Sequence, residues 1–375
     1  MVFFKKHLSK NRLLTLSILL FSGVLLAEGH NSPSIKNTSY SASMLGKFDI
    51  KNANIEYINP VSNVKLDTKT TRELVLKLMK TQPVNQAEIN QQLNLEHGEM
   101  SNSNFIVSNP YYPRNTDAQI DLPELRSIIR DGQEIINPEG YAKPEEGYTL
   151  NAAGEPAFFQ QTVATRWFSD IRNKNAPAAQ QVCAVKFVDA QNQTYEMKTF
   201  DSVTDAHDKG WTVTHEHACG TCSTLQDLAV YIGIPNQTQP VSACTRQAQG
   251  DINKVEQVAD CITEAVGFTQ MCAQSWAYNG VHTGASCQAD CQQLASGQVK
   301  NIMAVNPETG QLNSCLWCDE RMSGPGFKYS AGRTRRNSGL TSAITRPHDI
   351  LFYAADHSLY FSEQSTSENS NKNNK

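Results

Sequence analysis

The sequence predicts an α+β protein: a small antiparallel sheet with several short helices cross-linked by disulfides. Three observations predict it. All ten cysteines of the 375-residue chain lie between Cys183 and Cys318, so every covalent staple falls in one half. Two β-prone runs, 182–188 and 194–200, flank a short polar stretch and read as a hairpin. From residue 202 onward, helical stripes recur with capping and terminating residues at their ends. The same asymmetry divides the chain into a signal peptide at 1–27, a partly helical, loop-rich N-terminal segment at 28–180, a disulfide-rich domain at 181–361 and a disordered tail at 362–375.

The elements follow in order. Residues 1–12 are basic (Lys5, Lys6, Lys10, Arg12), and 13–27 are uncharged and mostly apolar. That is the pattern of a secretory signal, and it is short for a bilayer span of about 20 residues. Residues 28–66 show little periodicity and read as a leader. Thr70 to Lys80 places Leu74, Val75 and Leu78 at helical spacing, and Pro83 opens a second helical run through Val84, Ile89 and Leu93. The stretch 101–157 is dense in Pro, Gly and Asn and reads as loop, with one helix at Leu122–Asp131. After the hairpin come a capped helix from Ser202 to Gly210 and a β-prone run at Trp211–Thr214. A helix after Cys222 carries Leu225, Leu228, Ala229 and Ile232 on one stripe. A helix at 253–266 carries Val255, Val258, Ile262 and Val266, and shorter helices fall at 268–278 and 286–295.

Composition excludes several function classes. The formal net charge is −4. Without the first 27 residues the balance becomes 29 basic against 37 acidic side chains. A net acidic body argues against nucleic acid as a partner, and against a membrane surface once the signal is cleaved. Export places the cysteines in an oxidising compartment, where an even number reads first as disulfides, with a connectivity that sequence cannot choose. Eight cysteines read as structural staples: Cys183, Cys244, Cys261, Cys272, Cys287, Cys291, Cys315 and Cys318.

The other two sit where chemistry is possible. A strand carrying His215, Glu216 and His217 runs into Cys219-Gly-Thr-Cys222 and then into a helix. A helix N-terminus stabilises a thiolate through its free N–H groups and dipole. Cys222 would then be a nucleophile with His215 or His217 as base, as in acyl transfer. Three other readings stay open: both cysteines are staples, the pair performs thiol–disulfide exchange, or the histidines and thiolates bind zinc. The favoured site contains no metal, and the chemistry needs no cofactor. Cys219-Gly-Thr-Cys222 is similar to the cysteine signature of papain-like proteases, but Ser223 replaces the aromatic and Glu216 the oxyanion-hole glutamine. The strand–CxxC–helix order also resembles thioredoxin, without a recognisable later cis-proline strand.

A wider resemblance covers roughly residues 200–350. It rests on His215…Cys219-Gly-Thr-Cys222-Ser, Gln226-Asp-Leu-Ala-Val-Tyr231, Cys272-Ala-Gln-Ser-Trp276, Cys315-Leu-Trp-Cys318 and Gly332-Arg-Thr-Arg-Arg-Asn-Ser-Gly-Leu340. These runs resemble an uncharacterised family of predicted secreted, cysteine-rich proteins. The resemblance implies that 200–350 is one unit and implies no reaction.

The last feature is basic. Lys328, Arg333, Arg335 and Arg336, with Arg346, form the one basic cluster of the acidic mature chain, in a stretch rich in Gly and Ser. Arginine grips carboxylate or phosphate with paired bonds. The cluster therefore reads as an anion pocket for a small anionic ligand or a peptide, or else as a solvated loop paired with Asp319 and Glu320. Three functions follow: a thiol-dependent hydrolase or transferase, a secreted binding protein whose disulfides are all structural, or a thiol–disulfide oxidoreductase.

Overall fold

The computed structural model describes residues 55–85 except 60, strand residues at 128–130 and 133–135, isolated positions within 164–171, and then 176–295 except 190 and 192, 312–342 and 353–361. The signal peptide, most of the leader, the helical run expected to continue to Leu93, Arg346 and the tail lie outside the described residues.

Within these residues the protein is α+β. It has a four-stranded sheet in the order β3-β7-β6-β8, built from Gln82–Pro83 (β3), Val182–Asp189 (β6), Thr194–Phe200 (β7) and Thr212–Glu216 (β8). The β6–β7 hairpin is antiparallel with Val185 opposite Met197, and β8 pairs antiparallel with β6, with His215 opposite Cys183. The two-residue β3 adds to β7 in parallel, so the sheet is mixed rather than purely antiparallel. Pro83 therefore opens a strand edge, where its missing N–H costs nothing, instead of a second helix. Two two-stranded ribbons complete the strands: Tyr57–Ile58 (β1) with Lys65–Leu66 (β2), and Ile128–Arg130 (β4) with Gln133–Ile135 (β5). Residues 128–130 are thus strand, where the run 122–131 was expected to be helix; the rest of that run lies outside the described residues. Isoleucine-rich runs around Asp131-Gly132 carry a hairpin signal stronger than the weak helical pattern.

The helices are Thr68–Leu78 (α1), Pro177–Gln180 (α2), Val203–Asp208 (α3), Leu225–Gly233 (α4), Thr238–Thr245 (α5), Val255–Val266 (α6), Gln270–Ser286 (α7), Gln288–Ala295 (α8), Ser314–Met322 (α9) and Gly324–Ala331 (α10). Their starts follow local chemistry: Asp67, Ser202, Thr224, Thr269 and Asn313 each accept a first-turn N–H. Gly267 ends α6 in the left-handed region at φ 91°. No helix among the described residues is long and apolar enough to cross a membrane.

The main core is organised around α4. All nine of its residues are buried, so the single stripe read from sequence understates its burial. The reason is that α1 covers it: Leu74, Val75 and Leu78 share one core with Leu225, Leu228 and Ile232, with Val185 and Met197 of the sheet, and with Val258 and Ile262 of α6. Tyr57 joins the same core and donates to the Ala355 carbonyl (2.9 Å). Ile55, Tyr57 and the buried face of α1 thus contribute to the same core as the sheet and helices after residue 180.

Helix α7 runs without a break through Asn279-Gly280, past the end of the helix expected at 268–278, and so carries His282. Gly280 is there because α5 passes close by. A Cβ at that position would lie 2.2 Å from Thr245 Cγ2. The Ser323-Gly-Pro-Gly stretch, read as part of a loop, is instead the start of α10, with Pro325 in its first turn.

Candidate functional site

The cysteines offered as nucleophiles are both half-cystines. Cys219 is bridged to Cys183 and Cys222 to Cys272, and the remaining bridges are Cys244–Cys261, Cys287–Cys318 and Cys291–Cys315. No cysteine is free. This corrects the expectation of a thiolate at the start of α4, and the cause is tertiary. The register of β6 sets Cys183 opposite His215, beside the turn after β8. Cys272, in the first turn of α7, meets the start of α4 with a Cα–Cα distance of 4.6 Å. Disulfide sulfurs offer no thiolate to a substrate or to zinc, and no group of His, Cys, Asp and Glu that could hold a metal occurs among the described residues.

His215 is fully buried, and its partner is Ser223, not a sulfur. Its Nδ1 lies 2.7 Å from the Glu216 carbonyl and its Nε2 lies 2.8 Å from Ser223 Oγ. A carbonyl only accepts, so Nδ1 carries the proton and Nε2 accepts from the serine hydroxyl. Gly220 N–H completes the group by donating to Ser223 Oγ (2.7 Å). Burial, and then the charge of Arg333, holds the imidazole well below its ordinary pKa, so it stays neutral. The arrangement has the bonding of a hydroxyl and its base, but both residues have 0% exposure, so no substrate reaches them. Sequence reasoning gave Ser223 no role beyond its departure from the protease signature, and no spacing rule would have paired it with His215.

The arginine segment does fold over the start of α4. Thr221 N–H donates to the Ser330 carbonyl (3.0 Å) and Cys222 N–H to that of Ala331 (2.9 Å). Gly220 and Gly332 meet backbone to backbone, where a Cβ on either would come within 2.5 Å of the other strand of chain. Gly332 is also in the left-handed region, at φ 69°. The two motifs require each other's glycines for this contact.

Arg333 is 0% exposed and serves the protein itself. Its Nε donates to the Cys222 carbonyl (3.2 Å). Nη1 donates to the Thr214 carbonyl (3.2 Å) and Ser338 Oγ (3.1 Å). Nη2 donates to Thr214 Oγ1 (2.7 Å) and the Ser223 carbonyl (3.1 Å). All five donors are used, so none is left for an external anion. Arg335 donates to the carbonyls of Thr341, Tyr231 and Ile234. Asn337 donates to the Glu216 carbonyl (2.9 Å), closing the outer edge of β8. Arg336 is buried and its charge opposes the burial that raises the Glu216 pKa.

The other expected site residues lie elsewhere. His217 follows the end of β8 with φ 70°, so it lies beyond the strand expected to carry it. Its ring stands edge-on to Trp167, which in turn stands edge-on to Tyr329. Lys328, on α10, pairs with Glu320 at 3.0 Å. His282 bonds Ser323 Oγ (2.9 Å), and Asp319 accepts from Thr283 and Asn279. Burial pushes Asp319 up to about 6 and His282 down to about 4. A cleft of about 300 Å³ beside the arginine segment is lined mainly by Tyr57, Ile58, Ile232, Pro235 and Leu340, with Glu56 and Arg335 at its polar edge.

No curated protein and no solved structure matches the chain. A family model does match residues 255–354, from α6 through the arginine segment, and the family it describes is one of unknown function (DUF8771).

Proposed function

We propose that the protein is exported by its N-terminal signal and acts outside the cytoplasm as a non-enzymatic binding module. In this reading Cys183–Cys219, Cys222–Cys272, Cys244–Cys261 and the arginine segment are structural. One observation carries it: Cys219 and Cys222 are each committed to a different distant cysteine, so the pair that would perform acyl transfer or thiol–disulfide exchange has no thiol to offer. The arginines support it, because their donors go to backbone carbonyls. The surface the module would present is the apolar cleft between β1 and the segment after Gly332. Exposed Ile58 and Val61 lie on and next to that ribbon.

Native alkylation followed by disulfide mapping of the mature protein tests this. Cys183–Cys219 and Cys222–Cys272 should be found intact, with neither cysteine alkylated. A fast-alkylating Cys222 would sink the proposal in favour of a thiol hydrolase. A Cys219–Cys222 bridge would sink it in favour of an oxidoreductase.

A further inference from the structure

Two bridges, Cys287–Cys318 and Cys291–Cys315, tie α8 to α9. They enclose a second, smaller core of Leu312, Trp317 and Met322, separate from the one around α4. The two bridges differ in access. Cys287 and Cys318 have 0% exposure, whereas Cys291 and Cys315 are both partly exposed. Cys183, Cys219, Cys222 and Cys272 are buried, and of the Cys244–Cys261 pair only Cys261 is partly exposed. Cys291–Cys315 is thus the one bridge that solvent meets from both sides.

We propose that Cys315-Leu-Trp-Cys318 is a thiol–disulfide exchange site whose substrate is a small dithiol or a protein dithiol. The dithiol opens Cys291–Cys315. The Cys315 thiolate then attacks Cys318 Sγ, forms Cys315–Cys318 and expels Cys287 as a thiol. The electrons balance. The reductant's two thiols become its disulfide, and two electrons and two protons pass to the protein. Two protein bridges become one bridge and two thiols, at Cys287 and Cys291.

Placement favours each step. Cys315 is the second residue of α9, whose Asn313 cap accepts the Leu316 N–H. The free N–H groups of that first turn favour its thiolate. Residues three apart on a helix are neighbours, about 5–6 Å between Cβ atoms, and a disulfide needs about 3.5–4.5 Å, so the Cys315–Cys318 bridge forms as the first turn of α9 loosens once Cys291–Cys315 is open. The attack comes from inside the protein, so the burial of Cys318 does not block it. The result would free α8 from both covalent ties to α9 while leaving Trp317 on α9, which makes the hairpin a redox-released clip. This stands apart from the binding role and survives if that role fails.

Limiting dithiothreitol on the full-length oxidised protein, acid quenching, alkylation and peptide mapping test it. The expected product carries label on Cys287 and Cys291 and a Cys315–Cys318 bridge. Label on Cys291 and Cys315 with Cys287–Cys318 intact overturns the exchange. First opening at any other bridge overturns the assignment of the labile bond. The variant Cys291→Ser needs no reductant: its one free thiol should map to Cys287, and a free thiol at Cys315 would count against the proposal.

Discussion

Replacing Arg333 by leucine distinguishes a structural arginine from an anion clamp. The guanidinium makes five hydrogen bonds, three of them to the carbonyls of Thr214, Cys222 and Ser223. Leucine fills part of the volume and satisfies none of them. A buried acceptor left without a partner costs roughly 1–3 kcal/mol, so three carbonyls give an expected loss of about 3–9 kcal/mol. That is comparable with the whole stability of an ordinary domain, about 5–15 kcal/mol. The Thr214 and Ser338 hydroxyls can turn to new partners and are left out of the sum. Urea unfolding of the oxidised protein, followed by tryptophan fluorescence, should therefore show either no folded baseline or a midpoint far below that of the parent. An arginine held ready for a ligand behaves oppositely, because removing it relieves a buried charge. A variant as stable as the parent, or more stable, would refute the structural reading.

Two further outcomes follow from neighbouring contacts. Gly220→Ala places a Cβ 2.5 Å from the backbone at Ala331–Gly332. Overpacking of this kind costs roughly 1–3 kcal/mol or more, so Gly220→Ala should lower the urea midpoint well below that of the parent, and an unchanged midpoint would contradict the close approach. His357 bonds the Ser338 carbonyl through Nε2 (2.7 Å) and Tyr360 OH through Nδ1 (2.9 Å), and burial pushes its pKa down to about 3. A depressed histidine stabilises fully above its unfolded pKa near 6.5, and that contribution is lost as pH falls toward the folded value. At 1.36 kcal/mol per pH unit, the stability difference between the parent and His357→Gln should shrink by ~2 kcal/mol from pH 7 to pH 5. Parallel pH profiles for the two proteins would count against it.

Much of the fold was legible because its signals are local. The hairpin around residues 189–193, the Ser202 cap, the stripe of α6 and its Gly267 stop each depend on neighbours in sequence, and each is found where its residues place it. The failures share a different origin. Pro83 reads as a helix start until β7 is present to pair with it. The helix read as ending at 278 runs past Gly280, where Thr245 presses close and makes a small residue the requirement. The covering of α4 by α1 joins residues about 150 apart in the chain, and no window of sequence contains both partners.

The site was legible in its residues and illegible in their meaning, for a chemical reason. What makes a cysteine at a helix start look reactive is a set of free N–H groups, a small flanking glycine, a nearby histidine and a nearby arginine. A buried turn that must satisfy its own polar atoms needs the same parts. Here the N–H groups of Thr221 and Cys222 go to the Ser330 and Ala331 carbonyls, Gly220 makes room for Gly332, His215 takes the Ser223 hydroxyl, and Arg333 collects the carbonyls that remain. Composition cannot separate these uses, because each is defined by which partner sits at hydrogen-bond distance. Access separates them, since a working nucleophile must meet its substrate and a lock must exclude everything. With His215, Ser223 and Arg333 all at 0% exposure, the motif reads as a lock joining β8, the start of α4 and the end of α10.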